Sequence, residues 1–296
     1  MPRAVPPRFS GRTTIVLRAF VVILLFSLWP ILTQYSHTES NELRVWFFDV
    51  GQGDGIFIET PNGKQILIDG GRDKTILEKL SSVMWPWDRT IDALIATHPD
   101  ADHITGLVSV LDRYDVETIY ETGVRGGTAM IEAFETARKN EHAQNIFVRE
   151  GSLFTYDGVT FEVYWPTQKA VQTESNRNNT SIILVVSYVD RRVLLTGDAE
   201  ELVEKEVENR LGDVDVLKLG HHGSKTSSSV SFLKTTKPEI AIISAGVNNS
   251  YGHPHPIVLS RLQELGVRVL RTDLDGDILL KTDGNNLLVE PVFLPF

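Results

Sequence analysis

Residues 96–106 read ATHPDADHITG, and they decide the fold: His98, Asp100, Asp102 and His103 fall within six positions, directly after the apolar run at 91–95. A helix cap accounts for one aspartate in such a stretch, but not for four polar groups. In a tight loop alternate side chains point the same way. His98 and Asp100 can therefore grip one cation, and Asp102 and His103 a second, since hard divalent ions accept mixed imidazole and carboxylate donors. The chain contains no cysteine, so any metal must be held by nitrogen and oxygen, and thiolate nucleophiles and disulfides are excluded.

The elements around this stretch follow from hydrophobic periodicity and turn residues. Strands are expected at 43–50, 55–60 and 65–71, with Pro-Asn-Gly at 61–63 as a hairpin turn. Helices are expected at 74–83, 104–113 and 127–141, separated by strands ending in Thr97 and Tyr120. The order then repeats. Strands at 161–165, 181–188 and 191–198 precede helix 199–210, strand 215–220, helix 228–235, strand 240–246 and helix 256–265, with closing strands near 267–271, 277–281 and 286–290. Two halves of this kind predict an α/β protein in which two mixed sheets pack face to face with helices outside. Polar residues at the strand ends then converge on one edge.

Several clusters occupy such ends. TGDAEE (196–201) places Asp198 at a strand-to-helix corner, where a carboxylate can cap the helix or bridge two metals. LGHHGSKTSSS (219–229) carries His221 and His222; adjacent side chains point apart, so one is read as a metal ligand and the other as facing substrate. Lys218, Ser224, Lys225, Thr226 and Ser227 lie where they could contact phosphate, although a solvated strand residue and a helix entry are the plain alternatives. NNSYGHPHP (248–256) sets His253 and His255 in a proline-stiffened loop, His253 being either a turn residue or a substrate contact. DVGQGD (49–54) and IDGG (68–71) are glycine-rich corners carrying Asp54 and Asp69, carboxylates able to orient metal-binding histidines from behind. No Walker lysine follows them, so they make a poor phosphate cradle.

Taken in order, DVGQGD, LIDGG, THPDADHITGL, LLTGDAE, GHHGSKTSSS and NNSYGHPHP resemble the metallo-β-lactamase superfamily, most closely the C-terminal hydrolase domain of ComEC-type DNA-internalisation competence proteins. The likeness spans nearly all of residues 43–285 and implies a four-layer αββα fold with a dinuclear site between the sheet edges. By position it implies a first divalent cation on His98 and Asp100, a second on Asp102, His103 and His222, and Asp198 bridging them, with His221 beside the substrate. Two departures stand out. Asp100 replaces a histidine of the usual H-x-H-x-D-H pattern. The histidine expected between that motif and the bridging aspartate is also missing, and SNRNNTS (175–181) stands there, with Asn178 or Asn179 as an oxygen ligand or substrate contact. The first position is thus poorer in donors and more negative, which admits Mn2+ beside Zn2+.

Residues 19–32, AFVVILLFSLWPIL, follow four arginines, and extended to 13–34 they reach the roughly 20 residues of a membrane helix. The basic flank predicts a cytoplasmic N-terminus and an extracytoplasmic body. Residues 1–36 are read as an anchor, with a cleaved signal peptide and a secreted protein as the alternative, and 42–296 as one hydrolase domain. Competence proteins of this type carry many membrane helices, whereas one such run is seen here. The first forty residues carry +3, so the remainder of this −10 chain carries −13. That charge argues against broad nucleic-acid coating.

The resemblance implies a metal-dependent phosphodiesterase or nuclease acting on DNA, with competence-channel proteins as partners. Asp102 and Asp198 would steady the attacking water, and His221, Asn179, Ser224, Lys225 and His253 would meet substrate. The rivals are hydrolysis of a small ester, such as a choline phosphate, lactone or β-lactam, and a membrane-anchored binding subunit with a vestigial metal site.

Overall fold

Period-two alternation sorts the strand side chains between layers. In the computed structural model, which describes residues 41–124 and 126–294, Leu43, Val45 and Phe47 enter one core, while Trp46 and Phe48 enter another. The first strands are β1 (Leu43–Phe47), β2 (Ile56–Glu59), β3 (Gln65–Ile68), β4 (Thr90–Ala96), β5 (Asp115–Glu121) and β6 (Gln144–Phe147). The second series is β7 (Leu153–Tyr156), β8 (Val159–Trp165), β9 (Ile183–Tyr188), β10 (Arg191–Leu195), β11 (Val216–Lys218), β12 (Ile240–Ile243) and β13 (Arg268–Arg271), and the chain closes with β14 (Asp277–Thr282) and β15 (Leu287–Val292).

These strands form an eight-stranded sheet, β15-β14-β1-β2-β3-β4-β5-β6, and a seven-stranded sheet, β13-β12-β11-β10-β9-β8-β7. Each is antiparallel at one end and parallel at the other: β3 to β6 run parallel in the first, β10 to β13 in the second. The inner faces share one apolar core, with Ile66, Ile68 and Ile95 of the first sheet and Leu184, Val186 and Leu195 of the second. The outer face of the first sheet is covered by α1 (Thr75–Val83), α2 (Ala101–Leu111) and α3 (Ala129–Asn140). That of the second is covered by α4 (Gln168–Thr173), α5 (Glu201–Leu211), α6 (Val230–Thr236) and α7 (Pro256–Glu264). The result is the four-layer αββα arrangement, because each sheet buries one apolar face on the other sheet and one on amphipathic helices.

Differences from the expected elements have local causes. The strands expected to reach 71 and 198 stop at Ile68 and Leu195, where Asp69-Gly70-Gly71 and Thr196-Gly197-Asp198 turn away. The α2 helix begins at Ala101, three residues earlier than expected, so Asp102 and His103 lie in its first turn. Two strands were missed: QNIF is exposed except at half-buried Ile146, and LFTY alternates between exposed and half-buried positions, so neither sinks a clear apolar face. The closing hairpin β14–β15, contiguous with the second half in sequence, returns to pair with β1.

Two glycines let the first-sheet loops approach α2. A Cβ on Gly106 would lie 1.8 Å from Gly70 O, and one on Gly53, whose φ is +129°, would lie 2.1 Å from Asp102 O. The backbones are in contact there: Gly70 N donates to His103 O at 2.8 Å and Gly106 N to Gly71 O at 3.1 Å. The expected membrane segment at 19–32 lies outside the described residues. Among the described residues no helix is long and apolar enough to cross a membrane, and Asn41–Phe296 forms one compact unit.

Candidate metal centre

The loops after the parallel strands meet at one edge, as ligand sites of α/β sheets do at the carboxyl ends of their strands. Asp69 follows β3, His98 follows β4, Asp198 follows β10, and His221 and His222 follow β11. Around Asp198 Oδ2, His103 Nε2 and His222 Nε2 both stand at 3.3 Å, and Asp102 Oδ2 is 3.6 Å from His222 Nε2. His98, His103 and Asp198 form a second, overlapping group of donors. Donors about 2.1 Å from a tetrahedral cation stand roughly 3.4 Å apart, which is the spacing of the pairs His103–Asp198, Asp198–His222 and His222–Asp102.

Each ring is held in the tautomer that turns Nε2 inward. His222 Nδ1 lies 3.0 Å from the Ser244 carbonyl, which can only accept, so Nδ1 carries the proton. His103 Nδ1 donates to Asp69 Oδ2 at 2.7 Å. His98 is reached by relay: the Thr97 hydroxyl donates to Asp69 Oδ2 at 2.6 Å and accepts from His98 Nδ1 at 3.1 Å. Asp69 thus orients two histidines, as carboxylates behind metal-binding imidazoles do. His98 Nε2, His103 Nε2, His222 Nε2 and Asp198 Oδ1 are buried without hydrogen-bond partners. Three ring nitrogens and a carboxylate oxygen in that condition fit a cation and little else.

The electrostatics agree. Burial, aided by the charge on His103, holds His98 down to about 4, so it is a neutral ligand at pH 7. Burial opposes charge on His103 and His222 too, but Asp198 outweighs it, with Asp69 beside the one ring and Asp102 beside the other, and both rings are held well above the ordinary histidine range. Burial would likewise raise Asp198, yet these two rings hold it well below the usual carboxylate range. In the metal-free cluster the protons on these two rings balance the carboxylates, and a cation would take their place.

Local strain marks the same loops. His221 and His222 are consecutive left-handed residues, with φ of 49° and 55°, and Asp69 has φ of 56°. Non-glycine residues pay about 1–3 kcal/mol each for such conformations, which persist where surrounding contacts over-determine them. The Ser227 hydroxyl on Gly220 O at 2.6 Å and His221 N on Gly197 O at 3.2 Å are such contacts. The two left-handed residues separate the rings: His222 is buried in the cluster, and His221, half-buried, meets Glu200 at 3.3 Å and Asn178 Nδ2 at 3.2 Å.

Several expected contacts are not the ones found. Asp100 stands at the N-cap of α2 without capping it. Its Oδ1 accepts from Arg177 Nε at 2.7 Å, Oδ2 stays 3.9 Å from His98 Nε2, and it joins none of the three-residue donor groups. Asn179 is buried, with its side-chain oxygen on Glu200 N at 3.2 Å and its carbonyl on the Trp165 indole at 2.7 Å. Lys218 is fully buried, its ammonium 2.5 Å from Asp54 Oδ2, so it cannot serve as a surface phosphate contact. Burial works against the Asp54 charge, but Lys218 and the two rings beside it bring its carboxyl down to about 2. Ser224 is buried against Thr226 at 3.1 Å, while Lys225 is exposed. His253 is half-buried, its ring 5.5 Å from His221 and 5.9 Å from the exposed Tyr251, whose hydroxyl accepts from Arg72 at 3.0 Å. A lysine in an otherwise apolar strand was the available sign of a buried carboxylate; nothing in the sequence paired Arg177 with Asp100 or Arg72 with Tyr251.

The model of the Metallo-beta-lactamase superfamily matches residues 48–247. ComE operon protein 3 of Bacillus subtilis is 34% identical over 277 residues, covering 87% of this chain and 34% of that protein. Competence protein ComA of Neisseria gonorrhoeae is 32% identical over 80% of this chain and 32% of its own, and recombination protein 2 of Haemophilus influenzae 32% identical over 92% and 33%. The chain thus spans about a third of the length of these relatives. Among solved structures, the metallo-beta-lactamase fold protein YhfI of B. subtilis superposes with a TM-score of 0.58 at 13% identity, covering 81% of this chain and all of that one. Zn2+-bound PqqB of Methylobacterium extorquens gives 0.51 at 12% identity over 74% and 85%. At these identities the likeness is one of fold.

Proposed function

This chain belongs to the metallo-beta-lactamase superfamily, and from that premise we propose that it is a metal-dependent phosphodiesterase whose substrate is a nucleic acid. The observation that carries the proposal is the run of contacts His103–Asp198–His222–Asp102 at 3.3–3.6 Å, with the outer nitrogens of the two rings already committed. A divalent cation bound there, Zn2+ or Mn2+, would supply Lewis acidity, neutralising ester oxygens and acidifying a water toward neutral pH.

The chain's own groups supply the rest. Asp198 Oδ1, buried and unpartnered, is placed to accept the proton of an attacking water. His221, half-buried beside the cluster, has Glu200 and Thr226 on its Nδ1 side and the Asn178 amide 3.2 Å from its Nε2, a position from which it can meet the substrate. Lys225, Arg72 and Tyr251 are exposed and His253 half-buried, a cationic and aromatic set suited to phosphate and base. Relatives named for competence and recombination favour DNA as the substrate. Segment 19–32 would hold the domain at the outer membrane face, beside competence-channel proteins.

The acidic body favours a smaller ester instead, because long DNA gains from a basic track. Turnover by the metal-loaded protein of an oligonucleotide, bis-p-nitrophenyl phosphate and a lactone separates the two. Metal-dependent cleavage of both phosphodiesters, abolished by D198A, is expected. Cleavage of the lactone alone overturns the proposal.

A further inference from the structure

Asp100 and Arg177 stand 77 residues apart in sequence and share a 2.7 Å hydrogen bond beside His98. Resting on the reading that the cluster binds a divalent cation, we infer that this chain holds one such ion, on Asp102, His103, Asp198 and His222, and that the Arg177 guanidinium supplies the positive charge at the neighbouring position.

The donor inventory is the first reason. With His103 Nε2 and His222 Nε2 given to that ion, His98 Nε2 and Asp198 Oδ1 are the unpartnered atoms left for a second one, and among the described residues Asp100 joins no donor group. Catalytic zinc sites take three protein donors with one position open, so that position is one donor short while Arg177 keeps Asp100. Charge is the second. A guanidinium does not lose its proton in proteins, and a second dication would have to strip Asp100 from Arg177 and then sit beside the released positive group.

The placement of Arg177 is the third reason. It opens the 3-10 turn Arg177–Thr180, fastened by Asn176 Oδ1 on Asn178 N at 3.2 Å and by the Thr180 hydroxyl on Arg177 O at 2.7 Å. The next residue, Ser181, accepts from Asp198 N at 3.1 Å, so the turn carrying the arginine is tied to the loop carrying the central aspartate. Arg177 keeps 40% of its side chain accessible, leaving part of the planar donor fork open to an incoming phosphate. An ester at this edge would then meet metal-borne charge on one side and side-chain charge on the other. If the pair were only a half-exposed surface ion pair, worth little, a second ion would displace it.

The full-length chain, loaded with excess Mn2+ or Zn2+ and desalted, is assayed for metal by inductively coupled plasma mass spectrometry without substrate. About one ion per chain is expected in the wild type and in R177K. About two are expected in R177A, where Asp100 is released to join His98 and Asp198 as a third donor, falling back to about one in the R177A/D100A double variant. Two ions in the wild type overturn the inference, and so does an R177A protein that stays at one. Circular dichroism verifies folding, with R177Q as the neutral variant should R177A fail to fold. A wild type that binds no ion removes the metal reading itself, and this inference with it, whereas inactivity toward phosphodiesters leaves the ion count standing.

Discussion

Asp69 Oδ2 lies 2.7 Å from His103 Nδ1, and the same oxygen accepts the Thr97 hydroxyl that orients His98. One buried carboxylate therefore sets two ligand rings from behind. Asp69→Asn keeps the volume but removes the charge and one acceptor. Metal affinity should fall about 10–100-fold, read by competition with a chromophoric chelator, with little change in far-ultraviolet circular dichroism. Unchanged affinity would show that the rings are oriented by packing alone.

Lys218 and Asp54 form an ion pair whose side chains are 0% and 2% exposed. Removing one partner of a buried pair strands the other charge, a loss of about 3–5 kcal/mol. Lys218→Met should lower unfolding free energy by that amount in urea titration. Asp54 Oδ1 also lies 3.5 Å from His222 Nδ1, so adding D54N should recover only part of the loss. A K218M protein as stable as the wild type is the result that sinks this assignment.

Metal loading should release protons. His103 and His222 are held above the ordinary histidine range, by Asp198 chiefly, against the opposing effect of burial. In the metal-free protein both rings are thus protonated at neutral pH, and a cation needs both Nε2 lone pairs. Affinity should rise with pH across neutrality, by up to about two decades per pH unit while both rings still hold their protons. His98, held at about 4, is already neutral at pH 6 and adds nothing to this slope. Calorimetry in two buffers of different ionisation enthalpy reads the proton release; an affinity that is flat from pH 6 to 8 contradicts it.

Tyr251 is 56% exposed, and its hydroxyl is tied to Arg72 at 3.0 Å. Such a ring is a platform for a nucleobase, each stacked base contributing about 1–3 kcal/mol. Tyr251→Ala should weaken binding of a short single-stranded oligonucleotide about fivefold or more, while Tyr251→Phe should keep most of it. Equal losses in the two variants would assign the effect to the hydroxyl and Arg72, and no loss in either would remove the stacking role.

Much of the fold was legible because burial is written locally. The alternation in LRVWFF and SIILVVSY separates two faces of each sheet, and the helices carry their apolar stripes at the expected period. The strand-end clusters were legible too, since ATHPDADHITG, TGDAEE and GHHG each place polar donors where an apolar run stops. Where the local signal was thin, in QNIF and LFTY, the strands went unread.

By itself the sequence determined the layers, the strand ends on which donors would gather, and the donor types, with cysteine excluded. Only the tertiary structure decided which donors face one another. Asp100 sits inside the most suggestive motif, yet pairs with Arg177 from a turn 77 residues away. Lys218 reads as a surface cation, yet its strand buries it against Asp54, from the β1–β2 loop of the opposite sheet. Asn179, in the place of a missing histidine, turns its amide to Glu200 N. The physical reason is common to all three. Periodicity encodes which face a side chain takes, but the partner it finds is set by how two sheets and their loops close on one another, over separations at which a sequence carries no distance.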